Sequence, residues 1–211
     1  MAELTFAQKI SLVKAIKTEI ISFPAYRYRK LRDLLTFCED PKDVDVVLKA
    51  VMALCEVFTD IIPSYKIREQ GGENDDQPKD GEKGRSIKTS KETEALQTQE
   101  QFILKCYKDY LQVLEVFSKI KIGKMSKDSD DKSKTFAFYE RLRLQSVESY
   151  CTLLERHPHF NYRMNILQLV CHKLSNQDIS VRSMATRCIK RLLKVDNNSL
   201  LSFKLDILKQ L

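Results

Sequence analysis

Apolar residues recur every three or four positions over most of the 211-residue chain, which is the period of an amphipathic α-helix. In the first segment, for example, Val13, Ile16 and Ile20 fall on one stripe. Asp40 is the predicted N-cap of the third helix, and Pro41 suits its first position. The pattern predicts helices over residues 4–22, 25–38, 41–62, 94–121, 134–156, 161–174, 178–194 and 198–210.

Glycine and proline are confined to helix edges and to the segments between the helices. The five glycines are Gly71, Gly72, Gly81, Gly84 and Gly123, and a β-sandwich would need many more turn residues. Residues 69–92 have no apolar period and are expected to form a flexible, acidic loop. Residues 123–133 form a second, shorter polar break. The pattern therefore predicts one all-α domain over residues 1–211 that contains two interruptions.

Two of the predicted helices begin with a similar sequence pattern. Asp43, followed by β-branched apolar residues and then Ala50, is echoed by Asp178 and Ala185. The separation of 135 residues is near three units of the roughly 40–47-residue HEAT or armadillo period. Together with the glycine and proline positions, this echo favours an α-solenoid of stacked helix pairs over a closed bundle.

The charge of the chain is moderately basic. Lysine and arginine number 36 against 29 acidic residues, for a formal charge of +7, which favours contact with RNA, DNA or an acidic protein surface. All six cysteines lie in apolar helical patterns, and none forms a Cys-x-x-Cys pair. The sequence shows neither a signal peptide nor an apolar run of about 20 residues. The prediction is an intracellular protein, cytosolic or nuclear, with reduced core thiols and no contact with a membrane.

Two short segments go beyond periodicity. They are residues 57–68 (VFTDIIPSYKIR) and residues 153–162 (LLERHPHFNY), and the helix that ends CIKRLL follows the second of them. With the intervening helix around residues 107–115, they resemble the N-terminal half of the nucleolar complex protein 3 family over about residues 27–195. The sequence departs from the family after Arg68, where an acidic loop replaces a basic helix. The family's C-terminal domain is not in this chain, so we expect the chain to be the N-terminal part of a longer protein.

The resemblance implies a non-enzymatic scaffold of ribosome assembly in the nucleus and nucleolus. Its partner would be a nucleolar complex protein 2-like protein, and its cargo would be the large-subunit (60S) pre-ribosome. One form of this role is direct contact between the scaffold and pre-rRNA. The alternative that the family also implies is a chromatin-associated adaptor that loads replication initiation factors. A third alternative, an adaptor that reads peptide signals, is weakened because the chain has no tryptophan.

Catalytic and cofactor chemistry finds little support in the residues. Gly81 and Gly84 lack the preceding strand of a phosphate-binding loop. The residues His157 and His159, with Cys151, Cys171 and His172, lack the tight spacing of a structural zinc site. The structural interpretation of the turn is favoured, in which His157 ends a helix at its negative dipole end and Phe160 anchors the turn in the core. We therefore expect no enzyme, metal, cofactor or small-molecule substrate.

Two groups of cations are the candidate contacts for RNA or a partner. The first consists of Lys66 and Arg68, which alternate with Tyr65 and Ile67; the alternative is that these two apolar residues only fasten the segment to the helices. The second group shares one face of a single helix, with no acid interleaved in its last eight positions. It comprises Arg182, Arg187, Lys190, Arg191 and Lys194. The alternative for this group is an ordinary solvated face.

Overall fold

A computed structural model describes residues 4–39, 43–68, 91–120, 130–195 and 200–210. Every regular element in these residues is helical, so the described part of the chain is all-α. The helices are α1 (Phe6–Ser22), α2 (Pro24–Arg27), α3 (Leu31–Glu39), α4 (Val44–Ile61), α5 (Lys91–Ser118), α6 (Asp130–Arg156), α7 (Arg163–Lys173), α8 (Ile179–Lys194) and α9 (Leu201–Gln210). None of them combines the length and the apolar character that crossing a membrane requires.

The second predicted helix is broken into three pieces. Between α2 and α3 the chain forms a 3-10 turn over Tyr28–Lys30. The turn places the Tyr28 ring edge-on to Phe102 with centroids 5.4 Å apart, while the Lys30 ammonium lies 2.6 Å from a Glu19 carboxylate oxygen. These partners come from other helices, so the local apolar period did not reveal the break.

Three predicted boundaries change or fall outside the structure. The N-cap position of α4 is Asp43, and the predicted cap Asp40 lies outside the described residues. The predicted loop and polar break were too long at their C-terminal ends, because α5 begins at Lys91 and α6 at Asp130. Polar residues with adequate helix propensity can extend a helix without adding to its apolar stripe. The rest of both segments, residues 69–90 and 121–129, lies outside the described residues.

The helices pack as consecutive pairs. Helix α4 packs on α1, α3 and α6, and α6 packs in turn on α5 and α8. Helix α7 lies against α6 and α8, and α9 contacts both α7 and α8. Between α4 and α8 the structure describes one helix pair, α5 with α6. The repeat interval of the Asp43 and Asp178 segments corresponds to about three units and stays a prediction, because residues 69–90 and 121–129 lie outside the described residues.

A line of aromatic rings joins three of these elements in the core. The Phe58 ring of α4 lies 5.3 Å from the rings of both Tyr107 and Tyr110 of α5. Tyr107 in turn meets Phe160, in the turn after α6, edge-on at 5.3 Å. The Tyr110 hydroxyl donates a hydrogen bond of 2.8 Å to the Val51 carbonyl, which satisfies its buried polar end. Phe58, Tyr107, Tyr110 and Phe160 thus lock α4, α5 and the α6–α7 turn together.

The cysteines are core residues, as the sequence predicts. Five of the six are buried, and only Cys171 is partly exposed. Burial raises the pKa of Cys38 to about 12 and that of Cys106 to about 11, because the thiolate loses its hydration. Buried, protonated thiols react slowly, since the thiolate is the nucleophile.

Native-state labelling should therefore modify one cysteine first. We expect iodoacetamide at neutral pH to alkylate Cys171 ahead of the other five thiols, and all six to react at similar rates in denaturant. Peptide mass spectrometry over a time course measures the order. Cys171→Ala is the control, and it should remove the first labelled site. Early labelling of Cys38 or Cys188 would contradict the described packing.

Candidate nucleic-acid interface

Helix α8 is held in place by its first turn and by its apolar side. The Asp178 side chain caps the helix by accepting a 2.8 Å hydrogen bond from the Ser180 N–H, and it also pairs with Arg143. Although burial opposes the charged form, Ser180 and Arg143 hold the pKa of Asp178 below its usual value. The apolar side is buried against the neighbouring helices. It consists of Val181, Ala185, Cys188, Ile189 and Leu192.

A helical wheel at about 100° per residue places Val195 on the same stripe as Val181, Ala185, Cys188 and Leu192, but Val195 does not pack there. Val195 is 45% exposed, because α8 ends at Lys194 and Val195 is already in an extended conformation. A helical wheel assumes that the helix continues, and here it does not. The last cation of the helix, Lys194, consequently lies at an exposed end.

The opposite side of α8 is a cationic face. We use this name for Arg182, Arg187, Lys190, Arg191 and Lys194, which line one open groove of about 870 Å³. The other residues that line the groove are Leu174, Ile179, Ser183 and Thr186, so none of its described lining residues is acidic. The structure thus brings all five predicted cations of this helix to one surface. Their role as contacts stays a prediction.

The five cations differ in how firmly they are held. The Arg191 guanidinium lies 3.1 Å from the Glu155 carboxylate of α6, and Arg182 donates to the Asn176 and Gln177 carbonyls at 2.6 and 2.8 Å. Arg187, Lys190 and Lys194 are exposed and form no ion pair within the described ranges. These last three are therefore the cations available to an incoming polyanion. The sequence could not make this distinction, because the partners of Arg182 and Arg191 come from the preceding turn and another helix.

Lys66 and Arg68 lie on a different surface. Both are exposed, and they line a cavity of about 440 Å³ with Gln97, Glu100 and Gln101 of α5. This cavity shares no lining residue with the groove on α8. The structure therefore does not bring the two predicted groups of cations together. The α5 side of this cavity also presents the carboxylate of Glu100, which makes it less favourable for a polyanion.

Of the two apolar residues that could fasten the segment of Lys66 and Arg68 to the helices, Ile67 is buried and Tyr65 is exposed. Ile67 is 3% exposed, and its N–H and carbonyl both bond to the Asn161 side-chain amide at 2.9 Å. Tyr65 is 52% exposed, and only its hydroxyl is engaged, donating to Glu100. We call the paired hydrogen bonds between Asn161 and Ile67 the amide clasp.

The two segments that carry the family resemblance meet at this clasp. His157 Nε2 lies 3.0 Å from the Thr59 carbonyl of α4, and Phe160 is buried, as the sequence predicts. Tyr162 follows with φ of 63°, a left-handed conformation that nothing in the sequence indicates. The shared motifs therefore form a structural junction between α4 and the α6–α7 turn.

Helix α6 ends at Arg156 and the His157 N–H closes its last turn, so His157 lies at the helix C-terminus, as the sequence predicts. The helix-dipole interpretation favours the imidazolium form, but burial lowers the pKa of His157, and the Thr59 carbonyl only partly offsets this effect. His157 is therefore held neutral in the folded chain, with its Nε2–H donating to Thr59. Among the described residues no group of three or more His, Cys, Asp or Glu side chains is placed to hold a metal ion.

A neutral, half-buried histidine makes stability depend on pH. The unfolded chain binds a proton at His157 near the ordinary histidine pKa of 6.5, whereas the folded chain binds it only at lower pH. Stability should therefore fall as the pH drops below 6.5, by at most about 1.4 kcal/mol per pH unit from this group. Urea unfolding at a series of pH values should show a shallower fall for His157→Gln. His159→Gln, on the same turn, is the control; an unchanged slope in His157→Gln would refute the assignment.

The described residues form an all-α protein with a cationic helix face, and comparison with known proteins identifies its family. Residues 8–110 match the family described as "Nucleolar complex-associated protein". The chain is 32% identical to nucleolar complex-associated protein 3 of Arabidopsis thaliana over 191 residues, which is 90% of this chain and 19% of the relative. It is 32% identical to the human nucleolar complex protein 3 homolog and 31% identical to that of Danio rerio, each over 87% of this chain and 22% of the relative.

The chain belongs to the nucleolar complex protein 3 family, as its two motifs predict. It spans about a fifth of the length of the curated relatives that it matches. The family assignment places it in the nucleus and nucleolus, which confirms the predicted localisation.

Proposed function

We propose that this chain is a non-enzymatic scaffold of ribosome assembly and that it contacts pre-rRNA through the cationic face of α8. The observation that carries the proposal is the exposure of Arg187, Lys190 and Lys194 on a groove whose described lining contains no acid. A concentrated positive field of this kind attracts a polyanion, and the ribosome-assembly role that the family resemblance implies makes pre-rRNA the expected one. The family assignment supports a nucleolar role.

The scaffold is, in this proposal, an α-solenoid of the HEAT or armadillo kind. The packing of α4 against α6 and of α6 against α8 supports it, because the main contacts among the described helices run between neighbouring pairs. The partner helices α3, α5 and α7 would form the second layer. Such stacks offer long exposed faces, which suits a protein that binds rather than transforms its targets.

The proposed partner is a nucleolar complex protein 2-like protein, and the proposed cargo is the 60S pre-ribosome. The resemblance to the family implies this partner and this cargo, and membership of the family supports the proposal. The cationic face supports an RNA contact in addition to any protein contact. The alternative role, loading of replication initiation factors onto chromatin, would use the same helices for a different partner.

Affinity purification of the tagged chain from nucleolar extract tests this function. The proposal expects pre-rRNA of the large subunit and a nucleolar complex protein 2-like protein in the eluate. It also expects R187E/K190E/K194E to recover less pre-rRNA while it retains the protein partner, since the three cations are exposed. Recovery of replication initiation factors without pre-rRNA would contradict the proposal and favour the alternative.

A further inference from the structure

We propose that the cationic face of α8 binds double-stranded RNA through its sugar–phosphate backbone. This inference rests on the RNA contact in the proposed function and specifies the form of RNA that the site takes. It is carried by the length of the face, by the side chains that alternate along it, and by the kinds of side chain it lacks.

The groove follows a single face of one straight element. Its lining residues in α8 recur at three- and four-residue steps from Ile179 to Lys194. At about 1.5 Å per residue, this face is about 22 Å long. A rigid cationic rod of this length suits a rigid duplex, whose phosphates lie at fixed positions. A flexible single strand would have to be ordered on it at an entropic cost.

Hydroxyl groups lie between the cations of the groove. Ser183 is exposed and Thr186 is half-buried, and each occupies the same helical turn as a lining arginine. An RNA duplex presents 2′-hydroxyls and phosphates across its wide, shallow minor groove, and proteins recognise it mainly by those groups and by shape. Cations for the phosphates and hydroxyls for the sugars are the side chains that such recognition needs.

The groove lacks what single-stranded RNA requires. Proteins bind unstacked bases by stacking them on aromatic rings or on guanidinium planes. None of the described residues that line the groove is aromatic. Two of its three arginines are already engaged, Arg191 with Glu155 and Arg182 with backbone carbonyls. Only Arg187 remains as a stacking platform among the described lining residues.

The groove also lacks what an acidic protein helix would require. Protein interfaces rely on a buried apolar centre with aromatic or aliphatic anchors. The only large apolar side chains among the described lining residues are Leu174 and Ile179. Leu174 precedes α8, and Ile179 is the first residue of α8. The centre of the face carries Thr186, Arg187 and Lys190 instead. Interfaces with nucleic acid are more polar and more positively charged than this protein-binding pattern.

Fluorescence anisotropy with the full chain tests the inference directly. Three probes of one sequence and about 20 base pairs or nucleotides are compared: duplex RNA, single-stranded RNA and duplex DNA. We expect duplex RNA to bind about tenfold more tightly than either other probe. R187E/K190E/K194E should weaken its binding by about tenfold or more. S183A/T186V should narrow the preference for duplex RNA over duplex DNA to about twofold, because it removes the groups that bind the 2′-hydroxyls.

A matched variant controls for net charge. K14E/K49E/K105E reverses three exposed lysines on α1, α4 and α5, so it lowers the formal charge from +7 to +1, as the α8 triple does. It should bind duplex RNA within about twofold of the parent chain. Equal or tighter binding of single-stranded RNA or duplex DNA would overturn the inference, as would stronger competition by polyglutamate than by duplex RNA.

The outcomes separate the inference from the function on which it rests. If the α8 triple weakens RNA binding but the probe forms bind equally, the RNA contact stands and the duplex preference is wrong. If the α8 triple and the control variant bind duplex RNA as the parent does, the RNA contact is wrong as well.

Discussion

Replacing Phe58 with alanine should reduce the free energy of unfolding by about 3–5 kcal/mol. The Phe58 side chain is fully buried, and its ring contacts Tyr107 and Tyr110 at 5.3 Å. Alanine would leave a cavity between α4 and α5 and remove two favourable ring pairs. Domains are typically stable by only about 5–15 kcal/mol, so this reduction is a large share of the total. Urea denaturation followed by circular dichroism measures it.

The same substitution at an exposed phenylalanine is the control. Phe23 is 61% exposed, so Phe23→Ala should change stability by about 0.5 kcal/mol or less. Because Phe58 and Phe160 both contact Tyr107, the double variant with Phe160→Ala should also lose less stability than the sum of the two single variants. Equal effects of Phe58→Ala and Phe23→Ala would refute the aromatic core described above.

Breaking the amide clasp should have the second largest effect. Asn161→Ala removes both hydrogen bonds to Ile67, whose N–H and carbonyl lie beside a 3%-exposed side chain. A backbone group buried without a partner costs about 1–3 kcal/mol. Because both hydrogen bonds are only part-buried, the free energy of unfolding should fall by about 2–4 kcal/mol, the lower part of the range for two groups. Hydrogen exchange at the Ile67 amide, together with urea denaturation, shows whether the segment opens locally or the whole chain is destabilised.

Two further variants make the test of the clasp specific. Asn161→Asp keeps an acceptor for the Ile67 N–H but places a carboxylate oxygen against the Ile67 carbonyl, so it should not restore stability. Asn165→Ala removes a nearby exposed asparagine on α7 and should have little effect, because alanine favours a helix. Wild-type stability and exchange in Asn161→Ala would show that the clasp contributes nothing.

The local period of apolar residues predicted most of the helices because each buries one face. Val13, Ile16 and Ile20 are buried on α1, as their spacing predicts. The period did not reveal the 3-10 turn at Tyr28–Lys30, which depends on Phe102 and Glu19. It also did not reveal the left-handed conformation of Tyr162, a residue type that rarely adopts positive φ. Both features depend on packing between elements, about which local periodicity carries no information.

For the candidate site too, the sequence predicted which residues share a helix face but not which partners they have. A helical wheel alone places the five cations of α8 on one face, and the groove confirms that they share a surface. The ion pair of Arg191 with Glu155 depends on the packing of α8 against α6, so the sequence could not show which cations remain available. The separation of Lys66 and Arg68 from this face has the same origin, because the amide clasp holds their segment beside α5 and the α6–α7 turn.

The central claim is that Arg187, Lys190 and Lys194 contact RNA phosphates, and the salt dependence of binding measures those contacts. The slope of log K against log salt becomes shallower by about 0.9 for each duplex phosphate that the protein no longer neutralises. For duplex RNA, R187E/K190E/K194E should therefore show a slope about three units shallower than the parent chain, whereas K14E/K49E/K105E should keep the parent slope. The same slope for the parent chain and the α8 triple would contradict the claim.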